Sequence, residues 1–327
     1  MFIRFFKSNN AIALVVLPIM AVIIWLFGML NPQVLPVRHT MPLFELIGRG
    51  AYAVPWLSVL LGYVLVVSQA FLLNYIVNEN EVLKKQSYLP ALFYMVFMSN
   101  NSAMLMFHPQ QFANLFLLFA INKLLSSYRK DQAFSQAFDA GFLLSIASLF
   151  YFPYAVFFPV LGIAFILLRP FNWREWFISF LGVITPYSFV IVFYFWNDIT
   201  DYLWYDKMFY PMVLERKTAE VADSFYLMIG IGWLLILFSF FKAFATIGAG
   251  SQRSKKGMSL FIWLFFISVL TIFPAPELST KYFSAFAIPA AVFCANYFSE
   301  IKKEWIGEIL FLILIASLFV NLIAFYF

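Results

Sequence analysis

Long uninterrupted apolar runs are the feature of this sequence that most restricts its fold. Residues 11–30 contain no charged side chain, and residues 309–318 repeat the pattern near the end of the chain. A helix needs about 20 consecutive apolar residues to cross the hydrocarbon core of a bilayer. Hydrophobic residues make up 64% of the chain and charged residues only 11%, whereas soluble domains carry about 25% charged residues. We therefore predict that lipid is the solvent of this protein.

The continuity of these runs also selects the secondary structure. In hydrocarbon the backbone must satisfy its own hydrogen bonds, so only helices and closed barrels span a membrane. Barrel strands would alternate polar and apolar residues, and the runs here do not alternate. We predict an all-α, polytopic transmembrane helix bundle of about eleven spans, built as a single integral membrane domain over residues 1–327.

The distribution of cations predicts the orientation of the bundle. Cytosolic turns of membrane proteins are enriched in Lys and Arg, and fifteen of the 21 such residues fall on turns that alternate with the other six. The N-terminus is then inside and the C-terminus outside. The predicted inner cations are Arg4, Lys7, Lys84, Lys85, Lys123, Arg129, Lys130, Arg169, Arg174, Lys242, Arg253, Lys255, Lys256, Lys302 and Lys303. The predicted outer cations are Arg38, Arg49, Lys207, Arg216, Lys217 and Lys281.

One segment, residues 133–168, is predicted to be a broken hairpin. Its 36 residues barely allow two crossings of about 20 residues each. Pro153 has no backbone N–H and stands between Tyr151 and Tyr154, which indicates a sharp break at the tip. Two interpretations stay open. The segment is either a tight hairpin that packs the bundle or a pair of short helices lining a cavity, as in membrane proteins that handle a substrate.

The inner corner at residues 169–176 combines cations with aromatic rings. Arg169 and Arg174 lie there beside two tryptophans and a glutamate. Guanidinium groups suit lipid phosphates and indole rings suit the membrane interface. We predict either a lipid-headgroup site at Arg169 and Arg174 or plain anchoring of the helix end.

The first predicted outer loop, residues 31–50, contains the acid of greatest chemical interest. Glu45 lies in an apolar stretch flanked by Arg38, His39 and Arg49. A carboxylate at a membrane surface can act as general base towards a hydroxyl group, and the neighbouring cations can hold a lipid-linked phosphate. The alternative is an interfacial helix in which Glu45 pairs with Arg49 four residues later.

The second predicted outer loop, residues 197–224, is the longest polar segment. It mixes carboxylates with aromatic rings, a combination found both in sugar sites and in any folded loop on a membrane surface. The residues concerned are Asp198, Asp201, Asp206, Trp204, Tyr205 and Tyr210.

Several classes of site are excluded or unsupported by the sequence. His39 and His108 are the only histidines and Cys294 is the only cysteine, so we expect no metal centre of imidazole or Cys/His type. The phosphate-loop, dinucleotide and nucleophile-elbow motifs are absent, and we expect neither a cofactor nor nucleic acid. Four asparagines within or at the ends of spans are expected to hydrogen-bond between helices: Asn74, Asn114, Asn122 and Asn321.

Four stretches carry a resemblance to a known family. FDAGFLLSIASLFYFPYAVFFPVL is followed by RPFNWREW, and MFIRFFKSN and ENEVLKKQSYLPALFYMV precede them. Together they resemble an uncharacterised family, a domain of unknown function, of bacterial polytopic inner-membrane proteins. The resemblance implies a multi-pass protein of the bacterial inner (cytoplasmic) membrane. Members sometimes carry the label carotenoid monooxygenase, which this sequence contradicts because those enzymes bind iron through several histidines.

The layout also resembles that of membrane glycosyltransferases that use polyprenyl-phosphate sugars. They have many spans, an inside N-terminus and a catalytic acid in the first outer loop, a position that Glu45 matches. This resemblance implies a polyprenyl-linked substrate besides membrane lipids, with Glu45 as base. The alternative is a non-catalytic subunit or scaffold that binds other envelope proteins, and a secondary transporter is the third hypothesis.

The predicted orientation can be tested by cysteine labelling. Cysteines replacing Lys255 and Lys302 are expected to react with a membrane-impermeant reagent only from the cytosolic side, because both lie on predicted inner turns. Labelling of either position in intact spheroplasts, where only the periplasmic face is accessible, would contradict the orientation.

Overall fold

The fold is all-α over the part of the chain that the structure describes. This computed structural model describes residues 2–8, 10–32, 41–52, 54–209, 223–247, 250–274 and 284–326. The helices are α1 (Phe2–Lys7), α2 (Ala13–Leu30), α3 (Pro42–Tyr52), α4 (Pro55–Glu79), α5 (Leu89–Met98), α6 (Pro109–Ser126), α7 (Phe134–Phe150), α8 (Pro159–Leu168), α9 (Trp173–Trp196), α10 (Asp223–Thr246), α11 (Gln252–Leu270), α12 (Ser284–Glu300) and α13 (Glu304–Tyr326). Two 3₁₀ segments, Ser102–Met104 and Phe152–Phe157, and a π-helical segment, Tyr202–Phe209, complete the described elements.

Five of the described helices are long and apolar enough to cross a membrane. They are α2, α4, α9, the portion Phe225–Ala245 of α10, and α13. Between 17% and 39% of the most apolar window of each helix is buried inside the protein, so most of that surface is left for lipid. The chain is therefore a membrane protein, as its composition predicts.

The chain between α4 and α6 does not form one continuous membrane-spanning helix. Helix α5 has ten residues, which gives a length of about 15 Å against a hydrocarbon core of about 30 Å. All ten are buried, and α5 packs mainly against α4 and α12. The connection to α6 is irregular, and His108 is fully buried just before α6. The segment around His108 is therefore not an exposed loop, since α6 begins inside the packed protein.

The predicted break in the hairpin at residues 133–168 is confirmed. Helix α7 ends at Phe150, and the 3₁₀ segment carries Pro153 near its start, where a missing N–H costs no helical hydrogen bond. Helix α8 then begins at Pro159 and runs for only ten residues. The second half of the hairpin is therefore also a short helix.

Helices α7 and α9 approach each other closely because small residues line their contact. A Cβ atom at Gly182 would overlap the carbonyl oxygen of Phe138, and one at Gly141 would overlap that of Ser179. The hydroxyl of Ser145 donates to the Val183 carbonyl over 2.7 Å. Close backbone approach at small residues is the usual way in which helices associate without a hydrophobic driving force. This contact fixes α9, which carries charged sites near both of its ends.

Turns that were predicted to be cytosolic contact one another. Lys84 and Lys242 both bind the carboxylate of Glu300, at 2.8 and 3.2 Å, and Arg253 binds Glu81 at 3.5 Å. Burial alone would raise the pKa of Glu300, but its hydrogen bonds with the two lysines outweigh burial and lower that pKa. The cluster therefore stabilises the fold at neutral pH and loses its contribution as the pH falls through that lowered pKa.

The α7–α9 contact predicts a large difference between two glycine substitutions. Gly182→Leu is expected to destabilise the protein by at least about 1–3 kcal/mol, because the side chain cannot fit against the α7 backbone. Gly230→Leu on α10 is the matched control, since a Cβ there meets nothing within 4 Å. The measurement is the thermal denaturation midpoint in detergent. Equal midpoints for the two variants would contradict the close contact.

Candidate functional site

Helix α3 holds Glu45 against the bundle by one aromatic anchor. Pro42 occupies the first helical position, which its fixed φ angle favours, and Glu45 lies in the first turn, where the helix dipole favours an acid. Phe44 is 1% exposed and stacks on Phe107 with ring centroids 5.3 Å apart. Leu46 on the opposite side is 79% exposed. The helix is therefore amphipathic, and Glu45 stands at the edge between its two sides.

The partner of Glu45 is Lys207. The Nζ of Lys207, in the π-helical segment, lies 3.1 Å from Oε2 of Glu45. The Lys207 side chain is only 5% exposed and that of Glu45 is 25% exposed. The same Nζ lies 4.9 Å from the centre of the Tyr202 ring, a cation–π distance. The ammonium is thus buried between a carboxylate and an aromatic face.

Glu45 also borders an apolar cavity of about 460 Å³ between α3 and α9. We call this cavity the Glu45 pocket. Its lining is Pro42, Leu43, Glu45, Leu46, Phe189, Val190, Phe193 and Tyr194. A small cluster of Met41, Leu149, Tyr194 and Leu203 packs beside it. The arrangement joins one carboxylate to apolar walls, as ligand pockets commonly do.

The cations predicted to accompany Glu45 are only partly covered by the structure. Arg38 and His39 lie outside the described residues. Arg49 is a residue of α3, but the predicted pairing of Glu45 with it falls outside what the structure describes. The observed cation, Lys207, was counted in the sequence only as an outer-loop charge. The one sequence feature that pointed to Lys207 was its position among the aromatic residues of 202–207.

The predicted headgroup site at Arg169 is wrong, because its guanidinium is buried within the protein. Arg169 Nε donates to Glu175 Oε2 over 2.7 Å, and Nη2 donates to Oε1 over 2.8 Å. A third bond joins Nη1 to the Ser127 carbonyl over 2.6 Å. The side chains of the ion pair are 5% and 1% exposed. Arg169 therefore ties the α6–α7 turn to the start of α9 and presents no face to a lipid phosphate.

Arg174 remains exposed but lies far from Glu45. It follows the N-cap of α9, where the Oδ1 of Asn172 accepts from the Arg174 backbone N–H over 3.2 Å. Its guanidinium lies 6.0 Å from the ring of Trp173. Twenty residues of α9 separate Arg174 from Tyr194 at the Glu45 pocket, about 30 Å at 1.5 Å per residue. Among the predicted site residues that the structure describes, Arg169 and Arg174 therefore do not join Glu45 in one site.

A buried network of uncharged polar groups occupies the interior where the short helices meet. Tyr154 Oη donates to Asn114 Oδ1 over 2.6 Å, and Asn114 Nδ2 donates to the Ser284 carbonyl over 2.9 Å. Tyr94 Oη donates to Gln69 Oε1 over 2.6 Å, and Gln69 Nε2 donates to the Gln111 carbonyl over 2.7 Å. The network links α4, α5, α6, α12 and the 3₁₀ segment of the hairpin.

The predicted hydrogen bonds of asparagines between helices are confirmed at Asn114, while Asn122 and Asn321 bond to residues just beyond helix ends. Asn114 joins α6 to α12 as described above. Asn122 accepts from Nδ2 of Asn80 over 3.4 Å, and Asn321 donates to the Asn100 carbonyl over 2.9 Å. The prediction does not hold for Oδ1 of Asn74, which is buried without a hydrogen bond in the described structure.

Fold and site together define the class of this protein. It is an all-α membrane protein with a carboxylate–ammonium pair whose carboxylate lines an apolar pocket. The chain belongs to a family of unknown function, DUF6427, which matches residues 46–327. Lys207 and all of α9 lie within the matched region, and Glu45 immediately precedes it. No curated protein and no solved structure matches the chain.

Burial of the Arg169–Glu175 pair predicts a large loss of stability when one partner is neutralised. Glu175→Gln is expected to cost about 3–5 kcal/mol of unfolding free energy, because it leaves the guanidinium buried without a counter-ion. Arg174→Gln, on the exposed start of the same helix, is expected to change stability by less than about 0.5 kcal/mol. Chemical denaturation in detergent measures both. A Glu175→Gln protein as stable as wild type would disprove the structural role of the pair.

Proposed function

We propose that this protein is a glycosyltransferase-like membrane enzyme that handles a polyprenyl-linked substrate at the outer face of the bacterial inner membrane. The observation that carries the proposal is the Glu45–Lys207 pair at the rim of the Glu45 pocket. A base, a phosphate-binding cation and an apolar cavity are the three parts that such a substrate requires.

The surroundings of the Glu45 pocket favour a lipid substrate over a soluble one. Phe189 and Phe193 line the pocket and are 71% and 60% exposed along α9, a helix apolar enough to cross the membrane. An isoprenoid chain dissolved in the bilayer can therefore enter sideways, without passing through water. Its apolar surface gains little by leaving lipid, so the phosphate must supply the specificity.

The proposed chemistry is transfer of a sugar to a hydroxyl acceptor. The Glu45 carboxylate accepts the proton of the acceptor hydroxyl while its oxygen forms a bond to the anomeric carbon. The bond from that carbon to the phosphate oxygen breaks, and its electron pair leaves with the polyprenyl phosphate. Lys207 is placed to stabilise that anion. Arg38, His39 and Arg49, close to Glu45 in the sequence, are proposed as further phosphate partners.

We also propose that the chain crosses the membrane about eleven times, with the N-terminus inside and the C-terminus outside. In this arrangement the ten-residue helices α5 and α8 cross only together with the non-α segments that adjoin them. The contacts of Lys84, Lys242 and Glu300 support this arrangement, because they place three predicted inner turns at one end of the bundle. Arg174 at the start of α9 then belongs to the inner face, where an anionic headgroup suits it.

The proposal predicts that Glu45→Gln abolishes catalysis. Purified protein in liposomes is supplied with a panel of polyprenyl-phosphate sugars and of hydroxyl acceptors, and release of polyprenyl phosphate is measured. Loss of a general base is expected to lower turnover about 10²–10⁴-fold. Asp131→Asn is the control, since this exposed acid follows the predicted inner cations Arg129 and Lys130 and borders no part of the Glu45 pocket.

Full activity of Glu45→Gln would remove the catalytic proposal. Tolerance of that change together with a stably co-purifying envelope protein would instead support a non-catalytic subunit or scaffold. The uncharged network around Asn114, beside interrupted helices α5 and α7–α8, favours a secondary transporter as the third candidate. Substrate uptake into vesicles that survives Glu45→Gln would support that candidate.

A further inference from the structure

Lys207 is the least exposed charged group at the Glu45 pocket, and its burial restricts what its partner can do. Its side chain is 5% exposed, and Nζ contacts Oε2 of Glu45 at 3.1 Å and the ring of Tyr202 at 4.9 Å. An ammonium removed from water needs an anion beside it. The ring compensates only part of the lost hydration, so Glu45 supplies the neutralising charge in this structure.

The same contact conflicts with the role proposed for Glu45. A carboxylate oxygen that faces an ammonium cannot accept a hydroxyl proton at that position. If Glu45 turned towards an acceptor while the pocket was empty, Lys207 would lose the one carboxylate that contacts it among the described residues. Arrival of a second anion at Lys207 therefore favours the departure of Glu45.

We propose that the phosphate of the lipid substrate replaces Glu45 on Lys207, so that substrate binding itself releases the carboxylate to act as base. This inference rests on the proposed function and names Lys207 as the residue that recognises the phosphate. The ammonium keeps one anionic partner throughout, and the carboxylate becomes available only when a donor is present. Premature proton transfer in the empty site is thereby prevented.

Position and chemistry both select Lys207 for this exchange. Glu45 contacts Lys207 and also lines the apolar cavity, so a phosphate at that ammonium leaves the attached chain within reach of the pocket. Lysine is an established point-charge ligand for phosphate. Arg169 is already held by Glu175, and Arg174 lies about 30 Å away along α9.

The exchange predicts opposite effects of the two neutral variants on lipid affinity. The probes are a long-chain polyprenyl phosphate and the matching polyprenol, bound to protein in nanodiscs and quantified by native mass spectrometry. Glu45→Gln removes the competing carboxylate and is expected to bind polyprenyl phosphate about tenfold more tightly, whereas Lys207→Gln is expected to bind it about tenfold more weakly. The double variant is expected to match Lys207→Gln.

Two controls isolate the charge at Lys207. Lys207→Arg retains a cation and is expected to keep affinity closer to wild type than Lys207→Gln does. Lys302→Gln removes an exposed cation at a predicted inner turn and is expected to change nothing. Polyprenol affinity is expected to be the same in every variant, because only the phosphate distinguishes the two probes.

The outcomes separate this inference from the function on which it rests. A wild-type protein that binds polyprenyl phosphate no better than polyprenol overturns both. A phosphate preference that survives Lys207→Gln overturns the exchange but leaves the proposed function standing. If Glu45→Gln does not fold because Lys207 is left unpaired, the comparison of Lys207→Gln with Lys207→Arg decides, and equal affinities of the two overturn the exchange.

Discussion

The fold depends on one constraint, that a backbone polar group in hydrocarbon must find its partner within the protein. Long helices meet it locally, and so does the 3₁₀ tip of the hairpin, where the Tyr154 N–H donates to the Tyr151 carbonyl over 3.0 Å. Part of the chain after α5 does not. Other segments supply the missing partners there. The Ser58 carbonyl accepts from the Phe107 N–H over 3.0 Å, and the side chain of Asn321 donates to the Asn100 carbonyl. The irregular chain is thus tolerated because α4 and α13 cover it.

In both the Arg169–Glu175 and the Lys207–Glu45 pair, a carboxylate neutralises a buried cation, but the consequences differ. Arg169 and Glu175 are both almost fully buried and satisfy each other with two hydrogen bonds. The pair therefore joins helices and offers no exposed charge to a ligand. Glu45 is 25% exposed and borders a cavity. The proposed exchange by a ligand therefore applies only to the Glu45–Lys207 pair, in which one partner borders a pocket.

One of the two residues of the candidate ion pair could be predicted from the sequence. Glu45 was identified because a lone acid in an apolar stretch near cations is unusual on any membrane surface. Lys207 was not, because its one local signal, the aromatic residues around it, does not show which carboxylate it binds. Arg169 was misassigned for a related reason. An arginine beside tryptophans has the same local pattern whether its guanidinium faces lipid headgroups or a glutamate six residues later.

The sequence by itself determined the solvent, the helical class, the break at Pro153 and the tendency of buried asparagines to join segments. These properties depend on composition and on neighbouring residues along the chain, both of which can be read from the sequence. Only the tertiary structure decided which carboxylate Lys207 binds, that Arg169 is buried and that His108 lies inside the bundle. Each of these depends on which helices pack together, and the close approach of α7 and α9 at Gly141 and Gly182 is a property of two surfaces that no single stretch of sequence contains.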